Sequence, residues 1–227
     1  MEDVNSVSIV VASKYPDIFA QCRGAIDARF PAYPKYVVAD DDWKVPGWTV
    51  LQAPLPFRGM ASLLNIGIQA SAPDDVMWVQ DDVTVLSADL ITSLQSAAYN
   101  DPLAAAVSPV MEGGVGNLLQ QIGDGCTDEV LVSPTGLGFM CIYFRRDLLQ
   151  EIGLMDERFT GYGPDDADWC KRAQIAGYRL LIARSVCVRH GFGADTWACT
   201  FRRREPVDPF ATLPEMTRIY AEKWGGL

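Results

Sequence analysis

The chain has 227 residues, 49% of them apolar, which is enough for one α/β domain with a sizeable core. Its formal charge of −10 excludes a surface that binds polyanions as a whole, leaving Arg202-Arg203-Arg204 as the one dense basic patch. No apolar run reaches the ~20 residues of a membrane-spanning helix, and six scattered cysteines without a CxxC pair point to reduced core thiols in a cytoplasmic protein.

Taken in order, Val7 to Ser13 is a short β-branched run bounded by polar residues, the pattern of a buried parallel strand. A helix follows over 17–29, then strands over 35–39 and 48–52 and a helix over 59–70 that contains Asn65. This alternation is the βαβ rhythm of a parallel sheet, whose crossovers are right-handed. A fourth strand spans 75–83 and ends in acids, Ser87 caps a helix running to Tyr99, and a strand covers 103–107. From Met111 to Thr135 the chain is glycine-rich and weakly periodic, and reads as a mobile excursion over the sheet with room for a hairpin. A strand over 138–144, a short helix over 147–152, closing strands over 178–183 and 186–190, and a helix over 213–224 complete the pattern. The acidic, polar opening that runs straight into a strand shows no signal-peptide pattern, so none is expected.

The densest chemistry lies in Phe159-Thr-Gly-Tyr-Gly-Pro-Asp-Asp-Ala-Asp-Trp169. Asp165, Asp166 and Asp168 fall within four positions, at the start of a helix that Pro164 opens and Gly177 closes. Free N–H groups at a helix start favour ionised carboxylates, so capping accounts for one or two of these acids. A third, behind a Gly161-Tyr162-Gly163 hinge, argues for a catalytic loop. Two other strands also end in acids, at Asp40-Asp41-Asp42 and at Asp81-Asp82, and His190 is the only histidine. Ligands of open α/β sheets bind beyond the carboxyl ends of the strands. Carboxylate oxygens with one imidazole suit Mn²⁺ or Mg²⁺.

These stretches, with Arg58-Gly-Met-Ala-Ser-Leu-Leu-Asn65 and Ile152-Gly-Leu-Met-Asp-Glu-Arg-Phe159, resemble the GT-A fold nucleotide-sugar glycosyltransferases. The likeness is to family 2, with similarity to the acidic motif of the β-1,4-galactosyltransferases, and runs from about residue 8 to 191. It implies a Rossmann-like, mostly parallel central sheet flanked by helices, with a small antiparallel portion. It also implies a single GT-A domain over 1–227, with a nucleotide-binding part over about 6–110 and an acceptor and catalytic part over about 111–227. The resemblance assigns Ala12, Ser13, Asp40, Arg58, Asn65 and Asp81 to the nucleotide sugar, and Asp82 and His190 to the metal. Asp166 matches the general base, Asp165 its acceptor-orienting partner, and Tyr162 and Trp169 are placed to stack on an acceptor sugar. Gln80 stands at the first position of the metal-binding DxD element, and Asp165 where Glu is more common.

The expected activity is metal-dependent, inverting transfer from a nucleoside-diphosphate sugar, UDP-sugar favoured, to a glycan or other hydroxyl acceptor. A modified nucleic-acid base is the minority acceptor, resting on Arg202–Arg204. Two rivals stand beside it. A sugar-phosphate nucleotidyltransferase calls for a glycine-rich loop after the first strand, where Ser13-Lys14-Tyr15-Pro16 has none. A non-catalytic sugar- or nucleotide-binding GT-A domain is favoured by Gln80 and opposed by the Asp165/Asp166 pair.

Overall fold

The computed structural model of the chain describes residues 5–54, 59–113, 117–123, 125–191 and 208–225. Among the described residues nine strands, β1 (Val7–Ala12), β2 (Lys35–Ala39), β3 (Thr49–Gln52), β4 (Asp75–Gln80), β5 (Val83–Val85), β6 (Ala104–Glu112), β7 (Val130–Val132), β8 (Cys141–Phe144) and β9 (Arg179–His190), form one sheet in the order β3-β2-β1-β4-β8-β6-β9-β5, with β7 also paired to β9. Strands β1 (Val7–Ala12), β2 (Lys35–Ala39), β3 (Thr49–Gln52) and β4 (Asp75–Gln80) are mutually parallel. Their side chains are buried on both faces in β1 and β4, as continuous apolar runs require. The helices α1 (Pro16–Arg29) and α2 (Gly59–Ala70) connect them. Ile18, Phe19, Cys22 and Ile26 make the buried stripe of α1, at helical spacing. Gly67 lets α2 lie directly on β1, because a Cβ there would collide with Val10.

Beyond β4 the sheet becomes mixed. The short strand β5 (Val83–Val85) is antiparallel to the last turn of β9 (Arg179–His190), and α3 (Leu90–Asn100) leads to β6 (Ala104–Glu112). Strand β8 (Cys141–Phe144) inserts between β4 and β6 and runs antiparallel to both. After it come α4 (Arg146–Ile152), α5 (Asp165–Ile175), β9 and α6 (Leu213–Trp224). The expected mostly parallel sheet with a small antiparallel portion is present.

Several boundaries move for identifiable reasons. The run over 75–83 is two strands, because the chain turns at Asp81-Asp82. Ser87 does not cap α3: its hydroxyl accepts the Cys187 N–H at 2.9 Å, and Asp89 occupies the cap position instead. The two closing strands are the single strand β9, interrupted by a bulge where the pairing with β6 shifts between Pro109 and Val110.

Described residues of the excursion after Met111 are fastened at several points to the sheet and to the chain entering β8. Strand β7 (Val130–Val132) pairs antiparallel with β9. Gln120, fully buried, donates to Ser108 Oγ (2.7 Å) and to the Gly138 carbonyl (3.1 Å), and accepts the Gly138 N–H (2.7 Å). Asn117 binds Ser133 Oγ (2.6 Å) and the Gly136 carbonyl (3.0 Å). A buried amide satisfied on both ends is a strong local fastener, because freeing it would strand polar groups without water. Among the described residues no helix is long and apolar enough to cross a membrane.

Candidate active site

The site forms where the sheet's strands end. Ala12 and Ser13 close β1, and the Ser13 N–H bonds to the Val38 carbonyl (3.0 Å), which places Asp40, two residues on, beside them. Ala12 is buried and paired with Gln80, so only its backbone faces the rim. Across the next strand, Ser13 Oγ donates to Asp81 Oδ2 at 2.5 Å. Burial, then the neighbouring Asp82 charge, push Asp81 up to about 7, against the Ser13 hydrogen bond that lowers it.

Asp82 and His190 are brought together by strand pairing. Val83 of β5 lies opposite His190 of β9, and the Gly191 N–H donates to the Asp82 carbonyl (2.9 Å). The imidazole Nε2 consequently sits 3.4 Å from Asp82 Oδ1. Asp82 is only 2% exposed, yet among the described residues neither carboxylate oxygen has a hydrogen-bond partner, and His190 Nε2 has none either. Buried, unsatisfied polar atoms are costly, and three in one spot, two anionic and one imidazole nitrogen, fit a divalent cation. Among the described residues no third His, Cys, Asp or Glu joins them.

The acid pair lies on the same rim. Residues 138–140 lead into β8 along the end of β4: the Gln80 N–H donates to the Met140 carbonyl (2.8 Å) and the Trp78 indole to the Phe139 carbonyl (2.9 Å). The Ala167 N–H donates to the Asp166 carboxylate at 2.7 Å, and the Phe139 backbone lowers the proton affinity of that carboxylate. Burial raises both acids, and the Asp166 charge raises Asp165 further. Asp165 is pushed to about 8, and Asp166, held down by its backbone N–H donors, to about 6.

Four sequence expectations change here. Trp169 does not stack on an acceptor: it is fully buried, edge-on to Phe139 and Phe144, with its indole bonded to the Gly153 carbonyl (2.9 Å). Asn65 is buried within α2, where its amide binds the Met155 backbone in both directions (3.0 and 2.8 Å) and Glu157 (2.9 Å). It braces the segment leading to the acids rather than meeting a ligand directly. Gly161 and Gly163 are not a hinge: neither has a positive φ, and a Cβ at these positions would collide with Thr212 and Met216 respectively. Asp168 is no simple cap, since it is fully buried against Arg172 (3.1 Å), Lys223 (2.7 Å) and the Trp224 indole (2.9 Å). Tyr162 stays 39% exposed, edge-on to Phe210. Arg58 and Arg202–Arg204 lie outside the described residues.

Sequence patterns alone missed Phe139, Gln120, Met216, Lys223 and Trp224. The one available signal was the Gly161-x-Gly163 pair, which marks a close approach by something distant as readily as a flexible turn.

No protein family and no curated protein matches the sequence. Solved structures share its fold. GalNAc-T7, solved with UDP, GalNAc and Mn²⁺, matches with a TM-score of 0.69 at 13% identity, over 87% of this chain and 45% of its own. The mannosyltransferase PcManGT from Pyrobaculum calidifontis, in complex with GDP-Man and Mn²⁺, matches at 0.65 and 15% identity, over 97% of this chain and 70% of its own. TarS 1-349 from S. aureus matches at 0.59 and 13% identity, over 82% and 60%. This chain therefore spans less than half the length of the first. At such identities the likeness establishes the fold: it is that of the GT-A-type glycosyltransferases.

Proposed function

We propose that this chain is a metal-dependent glycosyltransferase of family 2 type, moving a sugar from a nucleoside-diphosphate sugar to a hydroxyl acceptor. The observation that carries the reading is the buried, unpartnered Asp82/His190 pair on the same sheet rim as two acids of raised proton affinity. Structures of the same fold were solved with UDP or GDP-Man and Mn²⁺, which supports this assignment. Asp82 and His190 would hold Mn²⁺ or Mg²⁺, leaving its other positions to diphosphate oxygens and water, as such ions prefer. When bound, the cation offsets the charge that develops on the departing diphosphate.

The chain's own residues do the rest. Ser13, fixed on Asp81, and Asp40 line the nucleotide side of the rim. Asp166, the more acidic of the pair, is largely ionised at neutral pH and takes the proton from the acceptor hydroxyl. Asp165, held protonated, donates a hydrogen bond that orients the acceptor. Attack from the face opposite the leaving group inverts the anomeric centre, and exposed Tyr162 offers a ring to an acceptor sugar. UDP-sugars are the favoured donors and a glycan the favoured acceptor, with a modified nucleic-acid base as the minority case. The single-domain division into a nucleotide part over about 6–110 and an acceptor part over about 111–227 belongs to this reading. So does a cytoplasmic location, in keeping with buried thiols Cys22, Cys141 and Cys170, whose ionisation burial disfavours.

One observation favours a second reading, a binding domain without turnover: Gln80 in place of the first acid of the metal element. A single assay separates them. Release of nucleoside diphosphate from UDP-, GDP- and dTDP-sugars is followed with Mn²⁺ and in chelator, over a panel of hydroxyl acceptors. Metal-dependent release supports transfer, whereas nucleotide-sugar binding without release under every condition supports the binding domain.

A further inference from the structure

The segment carrying the acids is closed by a side chain that follows it by more than fifty residues. Lys223, in the last turn of α6, reaches Asp156 Oδ2 (2.9 Å) ahead of the acidic loop and Asp168 Oδ1 (2.7 Å) behind it. Trp224 donates to the same Asp168 oxygen (2.9 Å), and Arg172 holds the other (3.1 Å) while gripping the carbonyls of Ile152 (2.8 Å) and Leu154 (2.7 Å). Between these ends the loop is pressed against α6. Phe159, Met216 and Tyr220 form a small apolar cluster, the Tyr162 N–H bonds Thr212 Oγ1 (2.9 Å), and Gly161 and Gly163 leave no room for side chains.

We propose that Lys223 is a positioning residue for the Asp165/Asp166 pair, stapling the acidic loop at both ends and neutralising the Asp168 charge that Asp165 feels one turn away. The inference extends the proposed function, in which that pair handles the acceptor proton. The groups that set the pair's field can be named. Asp166 and Asp168 act on Asp165, Tyr162, Cys170 and Tyr220 share the field of the acids, and Arg172 and Lys223 reach the pair through Asp168, with Asp156, Arg158 and Glu222 grouped behind them. Asp168 already raises Asp165 with Lys223 in place. Removing the ammonium leaves Arg172 as the only cation bonded to Asp168 among the described residues, so the negative field at the pair deepens and its proton affinity climbs.

The test is a carboxylate titration by NMR of aspartate-labelled protein, comparing wild type with Lys223→Met and Lys223→Arg. In Lys223→Met both apparent pKa values of the pair are expected to rise by roughly half a unit to one unit, while Lys223→Arg leaves them in place. The acid limb of the transfer rate moves to higher pH by the same amount, and affinity for Mn²⁺ with UDP stays within about twofold, as a charge effect confined to the pair requires. Should Lys223→Met not fold, Trp224→Phe, which removes one donor to the same oxygen, gives a smaller shift of the same sign. A pair that titrates alike in wild type and in the folded variant overturns the inference, whatever the activity. A shifted pair in a protein that transfers sugar from no nucleotide sugar leaves Lys223's role standing and removes the function proposed above.

Discussion

The Asp82→Asn substitution separates the metal reading from a merely structural one, because it should make the metal-free protein more stable. Asp82 is 2% exposed with both oxygens unsatisfied among the described residues, and His190 Nε2 stands 3.4 Å away. A buried polar group left unpaired costs about 1–3 kcal/mol, more when charged. The amide carries no charge to desolvate and can donate to the imidazole, so Asp82→Asn is expected to recover about 1–2 kcal/mol. For a chain of this size that is a rise of roughly 2–8 °C in Tm. The wild type should gain in the opposite experiment. Mn²⁺ with UDP at a hundred times their dissociation constant stabilises a folded protein by about 2.7 kcal/mol, or roughly 5–10 °C. Thermal unfolding followed by tryptophan fluorescence reads both effects, with and without Mn²⁺ and UDP. The reasoning is refuted if Asp82→Asn is less stable than wild type without metal, or if Mn²⁺ with UDP raises both proteins equally.

Other consequences are as direct. Asp166→Asn keeps the helix start but removes the base, so kcat for transfer should fall by roughly 10²–10⁴-fold with donor binding nearly intact, read as nucleoside diphosphate release. Asp168→Ala should cost about 3–5 kcal/mol, since it removes the buried carboxylate that Lys223, Arg172 and the Trp224 indole share; urea unfolding measures it, and a loss under about 1 kcal/mol would contradict the burial. The acid pair also carries a stability signature. Its folded proton affinity lies above the ordinary carboxylate value of 3.8, so the folded chain keeps protons that the unfolded chain releases. Stability should therefore fall as pH rises from about 4 to about 8. Asp165→Asn should flatten that slope and be more stable than wild type at pH 8, by on the order of 1 kcal/mol once solvent screening is allowed for.

Much of the architecture could be read in the sequence, because buried parallel strands are continuous apolar runs and β1, β2 and β4 are such runs. The acids at strand ends were equally legible, since a turn at Asp81-Asp82 interrupts an otherwise unbroken pattern. What failed was non-local. Trp169 beside three acids looks like a sugar platform, yet helical geometry turns it onto the core with Phe139 and Phe144. Asp168 looks like a cap until Lys223 and Trp224, over fifty positions later, are placed on it. Glycine is ambiguous by nature. Gly113 takes a positive φ, with its missing Cβ next to the His190 carbonyl, whereas Gly161 and Gly163 serve only as clearance. The fastening of the excursion over 111–135 was illegible for the same reason, because its glycines were visible and the partners of Gln120 were not.

Those partners of Gln120, with the bonds from Asn117 to Ser133 and Gly136, shut the excursion at its neck. Outside the neck the backbone is tied again on either side of Gly123 and Gly125, by the Ile122 N–H on the Met111 carbonyl (3.0 Å) and the Thr127 N–H on the Arg184 carbonyl (2.9 Å). Closing a longer loop adds only about 0.6 kcal/mol for each doubling of its length. The stretch around Gly123 and Gly125 is thus a port at which the protein can accept new sequence, even a small inserted module, while the spacing of its acids is left as it was.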